Sequence, residues 1–141
     1  MLYLLDTDMM KLFRANHPAV LANSRRILAN PANTIATTVI TVEEQIEGWY
    51  YQLHRSQKQQ DIEDTYFKLL VTVQYFNRVT IRNFSVPAIA RFNMLKKQRL
   101  NVGGNDLRIA AITLEHAATV VTRNLRDFSR IPGLMVEDWN V

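Results

Sequence analysis

Four acidic residues of this 141-residue chain stand where chemistry is easiest to build: Asp6, Glu44, Asp106 and Asp127. Asp6 ends a short apolar run, Glu44 follows a β-branched run, Asp106 opens a helix after Gly103-Gly104-Asn105, and Asp127 comes just after the Ala118–Thr122 run. In a parallel sheet all four sites fall at one edge. Clustered carboxylates with no basic partner among them repel one another unless a divalent cation joins them. Oxygen-only ligands favour Mg2+ or Mn2+ over zinc. Such a cage is suited to holding a phosphodiester while a water activated by the metal attacks it in line.

Each acid also has a plainer use. Asp6 suits a turn and Asp8 an N-cap for a helix beginning at Met9. Thr41-Val42-Glu43-Glu44 spells a capping box ahead of an apolar run. Asp106 and Asn105 are both good helix starters, and Asp127 has Arg123, Arg126 and Arg130 within pairing distance along the chain. The histidines, His17, His54 and His116, lack the H-x-x-x-H spacing of a helical metal site and suggest structural roles.

The acids need elements to position them. Leu2 to Leu5 reads as a buried strand cut off by Asp6-Thr7-Asp8. Helical spacing follows at Met9, Leu12 and Phe13, then over 17–29 until Pro31. Thr34 to Ile40 reads as a second strand. Ile46, Trp49, Tyr50 and Leu53, at i, i+3, i+4 and i+7, predict a helix packed on the core through that stripe, with Glu44, Glu47, Gly48 and Tyr51 on another face. A long helix over 57–77, a strand over 79–84, a helix started by Ser85 and Pro87, a small-residue helix over 107–117 and strands at 118–122 and 134–136 complete the pattern. Strands alternating with helices predict a three-layer α/β/α sandwich around a mainly parallel sheet of four or five strands, with ligands at the strands' carboxyl ends.

Composition narrows the class. A hydrophobic share of 48% with four Gly and four Pro supports one core, hence a single domain over 1–141, with no linker and no repeat. A net charge of +4 suits a polyanionic partner without proving one. No cysteine is present, which excludes a disulfide scaffold and thiolate sites. The opening MLYLLDTDMM has neither a basic leader nor a spanning apolar run, so a soluble cytoplasmic protein is expected.

The settings of the acids resemble the successive motifs of VapC-like PIN-domain toxins, over nearly the whole chain. Leu4-Leu5-Asp6-Thr7-Asp8 resembles their opening LLDTN. Ile40-Thr41-Val42-Glu43-Glu44 with Gly48 resembles ITxAE followed by Gly, and 103–111 resembles G-x-x-D-x-x-IAA. Val121 to Phe128, Ile131 to Leu134 and Glu137-Asp138-Trp139 resemble the closing VTxN-xx-DF, IPGL and EDW. The resemblance implies that Asp6, Glu44 and Asp106 bind metal, and that Asn124 or Asp127, or both, complete the site. Asp8 departs from the pattern, which usually has Asn there.

What the resemblance implies further is a PIN-fold endoribonuclease using Mg2+ or Mn2+, leaving 5′-phosphate and 3′-hydroxyl ends on a structured RNA, commonly a tRNA. It also implies a homodimer and inhibition by a cognate antitoxin whose C-terminal segment covers the site. Arg108, Arg123, Arg126 and Arg130, with the Lys96-Lys97-Arg99 group, are placed to contact RNA phosphates. Two rivals stand beside this reading. Asp6-Thr7-Asp8 fits the D-x-D opening of haloacid-dehalogenase-like phosphatases, with Asp6 as nucleophile and Asp8 as general acid, but that leaves Glu44 unexplained. A catalytically silent RNA- or protein-binding module is the other.

Overall fold

A computed structural model describes residues 1–141. In chain order the elements are β1 (Leu2–Leu5), α1 (Thr7–Arg14), α2 (Pro18–Leu28), β2 (Thr34–Thr38), α3 (Val39–Arg55), α4 (Gln59–Phe76), β3 (Ile81–Arg82), α5 (Val86–Lys97), α6 (Gly104–Glu115), β4 (Thr119–Val121), α7 (Leu125–Phe128) and β5 (Met135–Glu137). The strands form one sheet in the order β3-β2-β1-β4-β5, and every pairing is parallel. The expected α/β/α sandwich is therefore present, with five strands.

Side chains of successive strand residues point to opposite faces, so the apolar strands feed two cores at once. Leu4 and Val120 join Ile109, Ile112, Phe92 and Phe128 on the side of α5 and α6. Leu5 and Val121 join Met9, Val20, Phe76 and Trp139 on the side of α1 and α2. Small residues let α6 lie close to the sheet: Ala110 and Ala111 are completely buried. Trp139 closes the second core, its ring centroid 5.7 Å from that of Tyr3 and its Nε1 donating to Glu137 Oε2 at 2.8 Å.

The chain runs outward from β1 through β2 to β3, then crosses back to place β4 on the other side of β1. That reversal opens a crevice at the carboxyl ends of β1 and β4, the place where open parallel sheets bind ligands.

Several local expectations change. β2 stops at Thr38, not Ile40, because Thr38 is the N-cap of α3: its hydroxyl accepts the Thr41 N–H at 3.3 Å. The capping box at Thr41 and Glu44 is therefore not used as one, and Thr41 is a buried helix residue. Likewise Asp6, not Asp8, caps α1, accepting the Met9 N–H at 2.9 Å. The stripe on α3 fails as a core face beyond its first turns: Tyr50 is 61% exposed and Trp49 only half-buried. The reason is tertiary, since this end of α3 packs on α4 rather than on the sheet. No helix is long and apolar enough to cross a membrane.

Candidate active site

The crevice at the switch point holds a cleft of about 220 Å³ lined by Asp6, Thr7, Asp8, Lys11, Glu44, Asp106 and Asn124. Sequence-distant residues meet here because three helices begin at this edge: α1 after β1, α3 after β2, and α6 ahead of β4. Asp6 sits between β1 and α1, Glu44 on the second turn of α3, and Asp106 in the first turn of α6.

Asp6 is the deepest of the three, with only 6% of its surface exposed. Its Oδ1 accepts the Met9 N–H and its Oδ2 accepts the Thr122 hydroxyl at 2.5 Å. Both hydrogen bonds and the start of α1 favour the ionised carboxylate. Burial outweighs them: the Asp6 pKa is pushed from 3.8 up to about 6, with Asp8 and Asp106 adding repulsion. The Asp106 carboxyl is also raised, first by burial and then by Glu44, Asp127 and Asp8, while the Asn124 amide opposes the rise. The acids therefore act on one another electrostatically.

Each is held in place by a neutral donor. Thr7 Oγ1 donates to Glu44 Oε1 at 2.7 Å, and Asn124 Nδ2 donates both to Asp106 Oδ2 at 3.2 Å and to Asp127 Oδ2 at 2.9 Å. Asn124 is fixed in turn, its N–H donating to Thr122 Oγ1 at 2.8 Å. Thr122 thus serves both Asp6 and Asn124.

The donor set suits a hard divalent cation in kind, because carboxylate and amide oxygens line the cleft and no sulfur or imidazole does. In spacing the arrangement is open, for no three of these side chains stand close enough together to grip one ion. The carboxylates ring the cleft, and an ion shared by them calls for side-chain rotation inward. An ion shared by them would offset the desolvation and mutual repulsion that raise Asp6 and Asp106.

The other named residues divide. Asn124 lines the cleft, whereas Asp127 stands one hydrogen bond behind it and forms an ion pair with Arg130 at 3.3 Å. Arg108 is tied down: its guanidinium lies 4.8 Å from the Phe92 ring centroid and donates to Asn105 Oδ1 at 2.9 Å. Arg123 and Arg126 are exposed beside Asn124. Sequence reasoning missed Lys11, Thr7 and Thr122. Lys11 breaks the expectation of an all-acid cleft, and its signal was available, since it stands one helical turn beyond Asp8 on α1.

No family model matches the chain. Ribonuclease VapC2 of Rickettsia felis is 32% identical over 144 residues, covering 99% of this chain and 99% of that protein. The tRNA(fMet)-specific endonuclease VapC of Salmonella typhimurium is 31% identical over 75 residues, 50% of this chain and 57% of that protein. Among solved structures, the Rickettsia felis VapBC2 complex bound to a DNA fragment from its promoter contains a chain that matches with a TM-score of 0.74 at 30% identity, over 99% of both chains. Full-length similarity at this level, on a sheet whose crevice gathers the acids of the motifs, decides the matter: the chain belongs to the VapC family of ribonucleases.

Proposed function

We propose that this chain is a Mg2+- or Mn2+-dependent endoribonuclease that hydrolyses phosphodiester bonds in structured RNA such as a tRNA, acting in the cytoplasm as the toxin of a toxin–antitoxin pair. The observation that carries this reading is the convergence of Asp6, Glu44, Asp106 and Asn124 on one cleft at the carboxyl edge of the sheet. The name of the Salmonella relative supports a tRNA substrate, and the VapBC complex of Rickettsia felis supports a cognate antitoxin as partner. A homodimer, and a single folded unit over 1–141, are part of the same reading.

Asp6, Glu44 and Asp106 would hold the ion, with Asn124 offering its carbonyl oxygen once its amide turns. When bound, a divalent cation supplies Lewis-acid activation of water and neutralises charge developing on the phosphodiester. Thr122 and the Met9 N–H fix the orientation of the Asp6 carboxylate, and Thr7 fixes that of Glu44. Until its amide turns, Asn124 Nδ2 lies between Asp106 and Asp127 and donates to both, which offsets their repulsion. Water adds to phosphorus as the P–O3′ bond breaks, leaving 5′-phosphate and 3′-hydroxyl ends.

The phosphatase alternative gains nothing from this geometry, since Glu44 lies in the same cleft as Asp6 and Asp8 and has no role in that scheme. The test is cleavage of unfractionated tRNA with Mg2+ or Mn2+, followed by mapping of the ends. Asp106→Asn and Glu44→Gln are expected to lower the rate by at least about 100-fold, on the scale of removing a group that stabilises transition-state charge, while their circular dichroism stays unchanged. Cleavage that persists in EDTA, or in both variants, ends the proposal; a folded protein that never cleaves RNA favours the silent binding module.

A further inference from the structure

The cleft does not end at its acids. It shares Lys11 and Glu44 with an adjoining depression of about 490 Å³ that also includes Gln45, Gly48 and Trp49. That depression shares Gly48 with a groove of about 530 Å³ carrying Tyr51, Arg55 and Lys68. The path follows one face of α3 from Glu44 to Arg55, about 16 Å at the rise of an α-helix.

Gly48 lines both depressions along this path and is hard to explain otherwise. It lies in the interior of α3, where glycine costs roughly 1 kcal/mol relative to alanine. A Cβ added there would meet nothing within 4 Å, so no neighbour in the fold requires the missing side chain. Helix stability is given up at a point the protein itself does not fill. Beyond it, Tyr51 is 64% exposed, with the Arg55 guanidinium 5.5 Å from its ring centroid. Lys11, Arg55 and Lys68 take no part in either ion pair of the structure, which join Arg91 to Glu115 and Arg130 to Asp127. Asp61 and Asp64 line the same groove from the first turns of α4 and repel a polyanion there, while Lys68, one turn beyond Asp64, has its Nζ 5.5 Å from the Trp49 ring centroid.

Cations outside any ion pair, an exposed ring and an open backbone in line with an acidic centre are the parts of a single-strand binding groove. Resting on the nuclease reading above, we propose that this face of α3 is the track for the unpaired RNA flank on one side of the cut. Lys11 holds the phosphate next to the cleavage point, the strand passes over Gly48, Tyr51 takes an unstacked base, and Arg55 holds a further phosphate.

The experiment is fluorescence anisotropy in an Asp106→Asn background, where cleavage is blocked, with a fluorescein-labelled single-stranded RNA of mixed sequence. Lys11→Glu and Arg55→Glu are each expected to weaken binding about 10-fold or more and to flatten its salt dependence by roughly 0.7 in log–log slope per lost phosphate contact. Tyr51→Ala should weaken it by about 5- to 160-fold, the range of one base–aromatic stack. Gly48→Leu should weaken it with no drop in thermal midpoint, and Arg25→Glu, on α2, should bind as the parent does. Unchanged binding in all four track variants overturns the track, while RNA cleavage by the unmodified protein keeps the nuclease reading. A protein that neither binds nor cleaves RNA overturns both. If the variants lose affinity for a cognate antitoxin but keep it for RNA, the face belongs to a protein partner and the proposal fails.

Discussion

Thr122 and Asp6, 116 residues apart in sequence, share a 2.5 Å hydrogen bond from hydroxyl to Oδ2 at the carboxyl ends of the adjacent strands β4 and β1. The bond ties the last motif of the chain to the first. It also leaves a buried carboxylate dependent on one neutral donor from another strand.

Thr122→Val keeps the shape of the side chain and removes that donor, together with the acceptor used by the Asn124 N–H. Leaving a buried carboxylate short of a partner costs about 1–3 kcal/mol. Urea unfolding at neutral pH should show a loss in that range, smaller at pH 4 where Asp6 is protonated. Equal losses at both pH values contradict this account.

Asp6 binds its proton more tightly folded than unfolded, its pKa rising from 3.8 to about 6. The unfolded chain releases that proton first, so in metal-free protein stability falls as pH rises from about 4 to about 6, by up to roughly 3 kcal/mol. Asp106, raised in the same direction, adds to the slope. Asp6→Asn keeps an oxygen to cap α1 and cannot ionise. In EDTA it should be more stable than the parent above pH 6, with the difference shrinking below pH 4; parallel stability curves for the two proteins would refute the assignment.

Adding Mg2+ or Mn2+ should raise the thermal midpoint of the parent at pH 7, because an ion that binds only the folded state stabilises it by about 2.7 kcal/mol at 100 times its dissociation constant. The shift should vanish in Asp106→Asn. Calorimetric titration giving no heat and no shift in the parent leaves the metal reading without support.

Asp127 and Asn124 differ in what they hold. The Asp127–Arg130 pair is partly exposed, so Asp127→Ala should cost no more than about 1 kcal/mol. Asn124→Asp replaces the one donor between Asp106 and Asp127 with a further negative charge. It should unfold at a lower temperature than the parent in EDTA and recover with Mg2+. A variant equally stable with and without the ion would show that Asn124 does not bridge the acids.

Gly48→Ala should raise stability by about 0.5–1 kcal/mol, since it improves helix propensity and its methyl meets no neighbour. Chemical denaturation decides this directly. A destabilised variant would contradict an open position at Gly48.

The pattern of apolar runs carried the fold well, because the strand residues that enter the two cores, Leu4 and Leu5 of β1 and Val120 and Val121 of β4, are buried on both faces and must be apolar. It carried the ends of elements less well. Thr38 and Asp6 became caps because of where their strands stop, and Thr41 and Asp8, equally good capping residues in one dimension, did not. The stripe on α3 misled for the same kind of reason: helical spacing marks a face without naming what covers it, and here α4 partly does.

By itself the sequence determined which residues carry charge and which carry strands, and therefore that Asp6, Glu44 and Asp106 belong to an α/β protein with acids following its apolar runs. The tertiary structure alone decided how deep each acid lies, that Thr122 and Asn124 hold them, that Asp127 stands behind the cleft, and that Lys11 faces into it. Burial and hydrogen-bond partners depend on residues brought together across more than a hundred positions of chain, and no local spacing encodes such a meeting.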